Sequence, residues 1–290
     1  MTYTLYVGDY AYSSWSMRGW LVFRHLGLKP DLHYVDFTQG DVVDHLTDVA
    51  PARTVPTLRT PEGITIWDSM AIAEELHERF PDGGLWPSDP AARGLGRALA
   101  AEMHSGFSSL RNECPMNLRK AYRDVDLSDD TLADIARIDR LWTHARAKYA
   151  DQGPWLLGAY SIADIAFAPV AARFAGYDVS LSDTARTYVE THLANTRFRQ
   201  WRTMALVTGT TLPWYDRPFE TKPWPGPAPL PAEIATGGPS VNDTCPFTGG
   251  PTRYFLKMNG AVYGFENQLC RDETVQDPEA WPAFMELANR

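Results

Sequence analysis

The sequence predicts a small mixed α/β domain, then an all-α helical bundle, then a small C-terminal extension of one β-hairpin and a helix. Three observations predict it. Residues 1–84 alternate short apolar runs with helical patterns, residues 89–207 carry apolar side chains at spacings of three and four, and residues 241–290 hold two short runs joined by Asn259-Gly260. Between the last two lies 208–240, where Pro213 to Pro239 include eight prolines and little periodicity. Such a stretch cannot be helical throughout and reads as an extended strap.

In order, Tyr3–Val7 reads as a strand, and Ser16–Leu26 as an amphipathic helix stopped by Gly27. A strand over Leu32–Phe37 and an irregular or helical piece at Asp41–Val49 follow. Thr57–Arg59 and Thr65–Trp67 flank Pro61-Glu62-Gly63, a turn signal, so they read as a hairpin. A helix from Asp68 to about Phe80 ends the first domain at Pro81-Asp82-Gly83-Gly84. In the second, Pro90 opens a long helical stretch to about Tyr122, with Leu95, Leu99, Met103, Phe107 and Leu110 on one face. Helical patterns recur at Thr131–Tyr149, which Asp129 and Asp130 can cap, and at Ile162–Phe174, Asp183–His192 and Arg197–Leu206. Ser161-Ile162-Ala163-Asp164 has the form of a capping box. In the extension, Arg253–Met258 and Ala261–Phe265 form the hairpin, and Asp277-Pro278 opens the final helix.

Composition excludes several classes. The chain of 290 residues is 44% hydrophobic with a net charge of −9 and no basic run, which argues against nucleic acid and anionic membrane surfaces as partners. No apolar stretch reaches the roughly 20 residues of a membrane helix. Nor does the start resemble a signal peptide. Three scattered cysteines, Cys114, Cys245 and Cys270, make no disulfide framework, and a reducing cytoplasm is the expectation.

The most informative segment is Tyr12-Ser13-Ser14-Trp15-Ser16-Met17-Arg18, at the turn from the first strand into the first helix. The first N–H groups of a helix lack internal partners and share the positive end of its dipole, so this turn is a ready anion site to which a hydroxyl adds a donor. Equally, a serine here serves as an ordinary N-cap. Arg18 reads as either a contact for an acidic substrate or a surface ion pair.

Residues 1 to about 207 resemble the soluble glutathione S-transferase superfamily. Ser13-Ser14-Trp15-Ser16 is similar to the Ser-Ser-Cys-Ser motif of the zeta class, the maleylacetoacetate isomerases. Thr54-Val55-Pro56-Thr57 is similar to the family's cis-proline segment, Asp68-Ser69 to the acid–Ser pair opening its third helix, and Ser161 with Asp164 to its buried capping box. The resemblance implies a thioredoxin-like first domain, an all-α second domain, a homodimer, and glutathione as co-substrate. It makes Ser13 the partner of the glutathione thiolate and Ser14 the second candidate, with Ser16 facing helix packing. Val55 and Pro56 would pair with the cysteinyl backbone, Ser69 would hold the γ-glutamyl carboxylate, and Asp68 the α-amino group. Arg53, His45 or Gln39 would meet the glycyl carboxylate, and Asp164 would be structural. Trp15 stands where the zeta motif has Cys, removing a thiol from the site. With Met103, Phe107 and Leu110 it would wall the electrophile pocket.

The function implied is glutathione transfer to a small electrophile. The alternatives are a maleylacetoacetate-type isomerase, or a non-catalytic binding protein with a metal-sensing or docking tail. That tail, with Cys245-Pro246-Phe247-Thr248-Gly249, Tyr263-Gly264-Phe265-Glu266, Cys270 and Asp277-Pro278, is similar to metal modules of the YHS or TRASH type. Thr248 and Glu266 stand where two of four thiols would be, so no metal is expected. Cys114 reads as a core thiol or a pocket-wall residue.

Overall fold

The computed structural model describes residues 2–289. They form two compact units: one runs up to Leu193 and takes in Thr210–Pro225, and the other comprises Ala194–Gly209 and the residues from Gly226 on.

The first unit begins with a sheet of order β2-β1-β3-β4, built from β1 (Thr4–Val7), β2 (Asp31–Tyr34), β3 (Thr57–Arg59) and β4 (Thr65–Trp67). Strand β1 is parallel to β2, with Leu5 opposite Leu32, and antiparallel to β3, with Leu5 opposite Leu58. The β3–β4 hairpin turns where the sequence places Pro61-Glu62-Gly63, and Gly63 takes a left-handed φ of 86°. Helix α1 (Ser14–His25) joins β1 to β2 and stops before Gly27, whose φ is 70°. Helix α2 (Ser69–Arg79) follows β4.

The helical half of this unit comprises α3 (Pro90–Ser105), α4 (Ser108–Glu113), α5 (Asp129–Tyr149), α6 (Ile162–Gly176) and α7 (Asp183–Ala194). The helix expected from Pro90 to about Tyr122 is broken. It stops at Gly106, Phe107 turns to a φ of 60°, and a second break precedes Pro115, which has no N–H to donate. The apolar spacing persists across the break because Met103, Phe107 and Leu110 remain buried. Ser128, rather than Asp129 or Asp130, caps α5; the two acids occupy its first turn.

Helix α6 is the buried axis. Its capping box is formed: Asp164 accepts from the Ser161 N–H at 2.9 Å and from the Ser161 hydroxyl at 3.1 Å. It also accepts from the Leu156 N–H at 3.0 Å and the Tyr188 hydroxyl at 2.8 Å. Burial outweighs those bonds and raises its pKa to about 6.

The strap is not featureless. Strand β6 (Glu220–Lys222) pairs antiparallel with β5 (Ala121–Arg123), with Tyr122 opposite Thr221. Just before it, the Leu212 N–H donates to the Tyr12 hydroxyl at 3.2 Å, and Tyr215 stacks on Tyr12 with centroids 4.6 Å apart.

The second unit comprises α8 (Thr196–Val207), β7 (Glu233–Ala235), β8 (Tyr254–Met258), β9 (Ala261–Phe265), α9 (Gln268–Gln276) and α10 (Pro282–Ala288). The Asn259-Gly260 hairpin is present, extended by β7 to a three-stranded sheet. Asp277-Pro278 opens only a short turn at 278–280, and the final helix starts at Pro282. Helix α9 was not expected from the sequence pattern. Arg199 of α8 makes two hydrogen bonds to Asp277, at 2.7 and 2.6 Å. No helix among the described residues is long and apolar enough to cross a membrane.

Two outcomes follow. Asp164→Ala strands four buried donors and should destabilise the fold by about 3–5 kcal/mol, read as a lower urea midpoint. His192, buried against Trp155 and Tyr188, has its pKa pushed down to about 3 by burial. The folded state therefore binds fewer protons than the unfolded chain, and this contribution is lost as pH falls from about 6.5 toward 3. Asp164 acts oppositely, its raised pKa costing stability as pH rises from about 4 to about 6. His192→Leu should flatten the acid decline, measured as urea midpoints at about pH 4 and about pH 7.

Candidate active site

The site begins at the β1–α1 turn. Ser13 is the N-cap of α1, its Oγ accepting from the Ser16 N–H at 3.4 Å while donating to Ser16 Oγ at 2.7 Å. Ser16 Oγ also accepts from the Gly8 N–H at 2.9 Å, so Ser16 ties the strand to the helix. Ser13 therefore performs the cap, with its proton engaged. Ser14, equally buried, differs: its Oγ accepts from Arg173 Nη2 at 3.4 Å.

Arg173 stands on α6, where a cation in an apolar helix is itself a signal. Its Nε donates to the Cys114 carbonyl at 2.9 Å and its Nη1 to the Pro169 carbonyl at 3.2 Å. Burial lowers its pKa to about 10, which leaves it charged at neutral pH. Arg18 is no surface residue, correcting the ion-pair reading. It is 4% exposed, its Nε donates to the Ala166 carbonyl at 2.8 Å, its Nη1 to the Ser14 carbonyl at 3.4 Å, and its Nη2 has no partner. Burial, then the charges of Arg173 and Arg111, push its pKa well down. Buried cations held only by neutral oxygens are costly, and they leave a positive field around Ser14.

Trp15 faces a cavity of about 210 Å³ that it shares with Thr54, Val55, Pro56, Asp68, Ser69 and His104. The Val55–Pro56 bond is cis, and Gly19 lets α1 approach closely: a Cβ there would lie 3.0 Å from Pro56. Asp68 has a φ of 78° and caps α2, accepting from the Met70 N–H at 2.8 Å and the Ala71 N–H at 3.3 Å; its second oxygen lies 3.0 Å from His104 Nε2. Ser69 is 4% exposed, and its buried Oγ has no hydrogen-bond partner. Arg18 and Arg111 lie over the Trp15 ring at 4.5 and 5.5 Å, and His104 meets it edge-on.

The cavity thus gathers Val55, Pro56, Asp68 and Ser69 with Trp15. Ser13 and Ser14 adjoin Trp15 in sequence but do not line the cavity. Arg53 is exposed and off its walls, and His45 bonds the Gln39 carbonyl at 2.8 Å instead. Of the apolar wall expected, only Trp15 lines it; Met103, Phe107 and Leu110 are packed in the interior. His104, Arg111 and Arg173 were missed by sequence reasoning. A larger cleft of about 690 Å³ in the same unit, walled by residues such as Trp86, Arg93 and Arg97, carries none of the motif residues.

Residues 12–79 match the family described as Glutathione S-transferase, N-terminal domain. The architecture is that of a glutathione transferase homolog from Burkholderia, solved with bound glutathione, at a TM-score of 0.55 and 25% identity over 72% of this chain and 100% of that one. Residues 12–79 belong to the glutathione S-transferase N-terminal domain family, and the fold around them is that of glutathione S-transferases. Among curated relatives, a probable maleylacetoacetate isomerase of Caenorhabditis elegans is 38% identical over 105 residues, 35% of this chain and 49% of its own length. The Pseudomonas aeruginosa maleylacetoacetate isomerase is 36% identical over 25% of this chain and 34% of its own length. A maleylacetoacetate isomerase structure from Anaeromyxobacter dehalogenans, with glutathione in its active site, has a TM-score of 0.50 and 28% identity over 69% of this chain and 94% of that one. The chain spans about half the length of the probable isomerase of Caenorhabditis elegans and a third of that of Pseudomonas aeruginosa, and the architecture it shares with the solved structures lies in its thioredoxin-like and helical parts.

The Asp68 cap can be weighed directly. Asp68→Ala should destabilise the protein by about 1 kcal/mol in urea unfolding, and Asp68→Gly by less, because glycine tolerates the left-handed backbone at this position.

Proposed function

We propose that this protein is a glutathione-dependent enzyme that forms the glutathione thiolate beside the α1 N-terminus and directs it at a small electrophile. The observation that carries this reading is the buried, unpartnered Ser69 hydroxyl at the start of α2, in the same cavity as Val55 and Trp15. A buried hydroxyl without a partner costs free energy that a bound carboxylate would relieve. Glutathione offers such a carboxylate in its γ-glutamyl group, and Ser69 with the helix end would receive it. Asp68 would hold the α-amino group, and Val55 would offer its backbone to the cysteinyl unit. Arg53 remains the candidate for the glycyl carboxylate through movement of its exposed side chain.

For the thiol itself, Ser14 is the better placed hydroxyl. The Ser13 proton is engaged with Ser16, whereas Ser14 accepts from Arg173 and has its own proton to donate. A thiol of pKa about 8.5 is only a few per cent ionised at neutral pH. One charge-assisted hydrogen bond of ~1.5–3 kcal/mol and a helix end of ~0.3–1 kcal/mol together lower it by about two units. The thiol proton leaves to solvent, the sulfur forms a bond to the electrophilic carbon, and the leaving group departs or, in an isomerisation, glutathione is expelled again. The Arg18, Arg111 and Arg173 cluster favours an electrophile that carries a carboxylate, which keeps maleylacetoacetate-type isomerisation as the second reading. A homodimer and a cytoplasmic setting belong to the same proposal.

Ser69→Ala should weaken glutathione binding about tenfold in calorimetry. Ser14→Ala should abolish the ultraviolet absorbance of bound thiolate, while Ser13→Ala retains part of it and loses helix stability. Undiminished thiolate formation in both serine variants would overturn the reading.

A further inference from the structure

Side chains from distant elements hold four consecutive carbonyls, those of Asn112 to Pro115. Helix α4 ends at Glu113, and Pro115, with no N–H, prevents it from continuing, so its last carbonyls lack partners within the helix. The Cys114 N–H reaches back to the Leu110 carbonyl at 2.9 Å. Arg217 of the strap caps two more, its Nη2 donating to the Asn112 carbonyl at 2.9 Å and its Nε to the Glu113 carbonyl at 3.0 Å. The Cys114 carbonyl accepts from Arg173 Nε at 2.9 Å, and the Pro115 carbonyl from the Tyr177 hydroxyl at 2.9 Å.

Arg217 is itself fixed in place. Its Nη1 donates to the Asp216 carbonyl at 2.9 Å and the Trp214 carbonyl at 3.3 Å, and its N–H donates to the Tyr122 hydroxyl at 3.3 Å. The adjoining Asp216 accepts from Lys120 Nζ at 2.5 Å and from Asn117 Nδ2 at 3.3 Å. The half-buried guanidinium is a planar fork locked between the strap and the end of α4. From there the path to the serine is short. Arg173 Nη1 bonds Pro169 in its own helix, so the Cys114 carbonyl sets the guanidinium relative to the α1 turn, where Nη2 reaches Ser14 Oγ at 3.4 Å. A cation donating to a hydroxyl oxygen makes that hydroxyl the stronger donor. At 3.4 Å the bond is near its limit, so a shift of about half an ångström at Cys114 is enough to lose it.

We propose that Arg217 is a positioning residue for the thiolate site, capping α4 so that the Cys114 carbonyl aligns Arg173 on Ser14, a role that rests on Ser14 being the thiolate donor. The strap then tunes the acidity of bound glutathione from outside the cavity. Without Arg217 the segment shifts but is not released, because the Glu113 carboxylate still accepts from the Ser128 hydroxyl at 2.7 Å and the Ser128 N–H at 3.1 Å. The loss therefore falls on alignment, and on the thiol before the fold.

The test titrates the ultraviolet absorbance of bound glutathione thiolate against pH on the full-length chain. Arg217→Ala should raise the midpoint by about one unit, the scale of one weakened charge-assisted hydrogen bond. Its calorimetric affinity for S-methylglutathione, which has no thiol to ionise, should stay within about twofold of wild type. Arg217→Lys keeps the charge but reaches a single carbonyl, so it should show a smaller rise and the wild-type urea midpoint, and the test does not depend on the alanine variant folding. Lys222→Ala loosens the strap elsewhere, at its pair with Asp178, and should leave the titration unmoved. A midpoint unmoved in both Arg217 variants, with Ser14→Ala abolishing the thiolate, overturns the role of Arg217 alone. A rise in Lys222→Ala equal to that in Arg217→Ala also overturns it, since any loosening of the strap would then suffice. Undiminished thiolate in Ser14→Ala overturns the assignment of Ser14 on which the role rests.

Discussion

The Ser16 hydroxyl joins the end of β1 to the first turn of α1 by accepting from both the Gly8 N–H and the Ser13 hydroxyl. That one oxygen fixes where the strand stops, where the helix starts and which way its free N–H groups point. With Ser16 in that role, Ser13 is held as the cap and Ser14 is turned toward Arg173. Gly19, one turn further on, then lets the helix close on Pro56. The cavity wall contributed by Trp15, Val55 and Pro56 depends on this sequence of contacts.

Helix α6 supplies the opposite constraint. It is buried along its length yet carries two charged side chains, Asp164 near its start and Arg173 near its end. Asp164 gathers four donors and anchors the loop before the helix, while Arg173 collects two backbone carbonyls and one serine hydroxyl. The first is a closed network. The second retains an uncompensated positive charge, and Arg18 and Arg111 add to it, so the field at the α1 N-terminus comes from side chains as well as from the helix dipole.

Much of this was legible from local pattern. Gly27, the Pro61-Glu62-Gly63 turn, the capping box and Asn259-Gly260 each state their structure within a few residues, because backbone sterics and caps act locally. Asp68-Ser69 and Val55-Pro56 were readable as a pair of motifs, and the structure brings them to one cavity. Strands β5, β6 and β7 were not readable: three residues show no alternation, and pairing with a distant segment alone makes them strands. His104 and Arg173 were hidden for the same reason, since each reaches the site from a helix whose periodicity reports only burial. The long helix read through to about Tyr122 failed because apolar spacing survives a break at Gly106 while the backbone does not.

The pairing of β5 with β6 also orders the making of the protein. The chain leaves the first unit at Ala194, returns at Thr210 and leaves again after Pro225. A ribosome that has finished the last bundle-like pattern has therefore not finished the first unit. Until the strap emerges, β5 presents an open edge and Tyr12 lacks the ring that stacks on it. The first unit becomes complete only when a segment rich in proline, unable to fold alone, has been delivered to it.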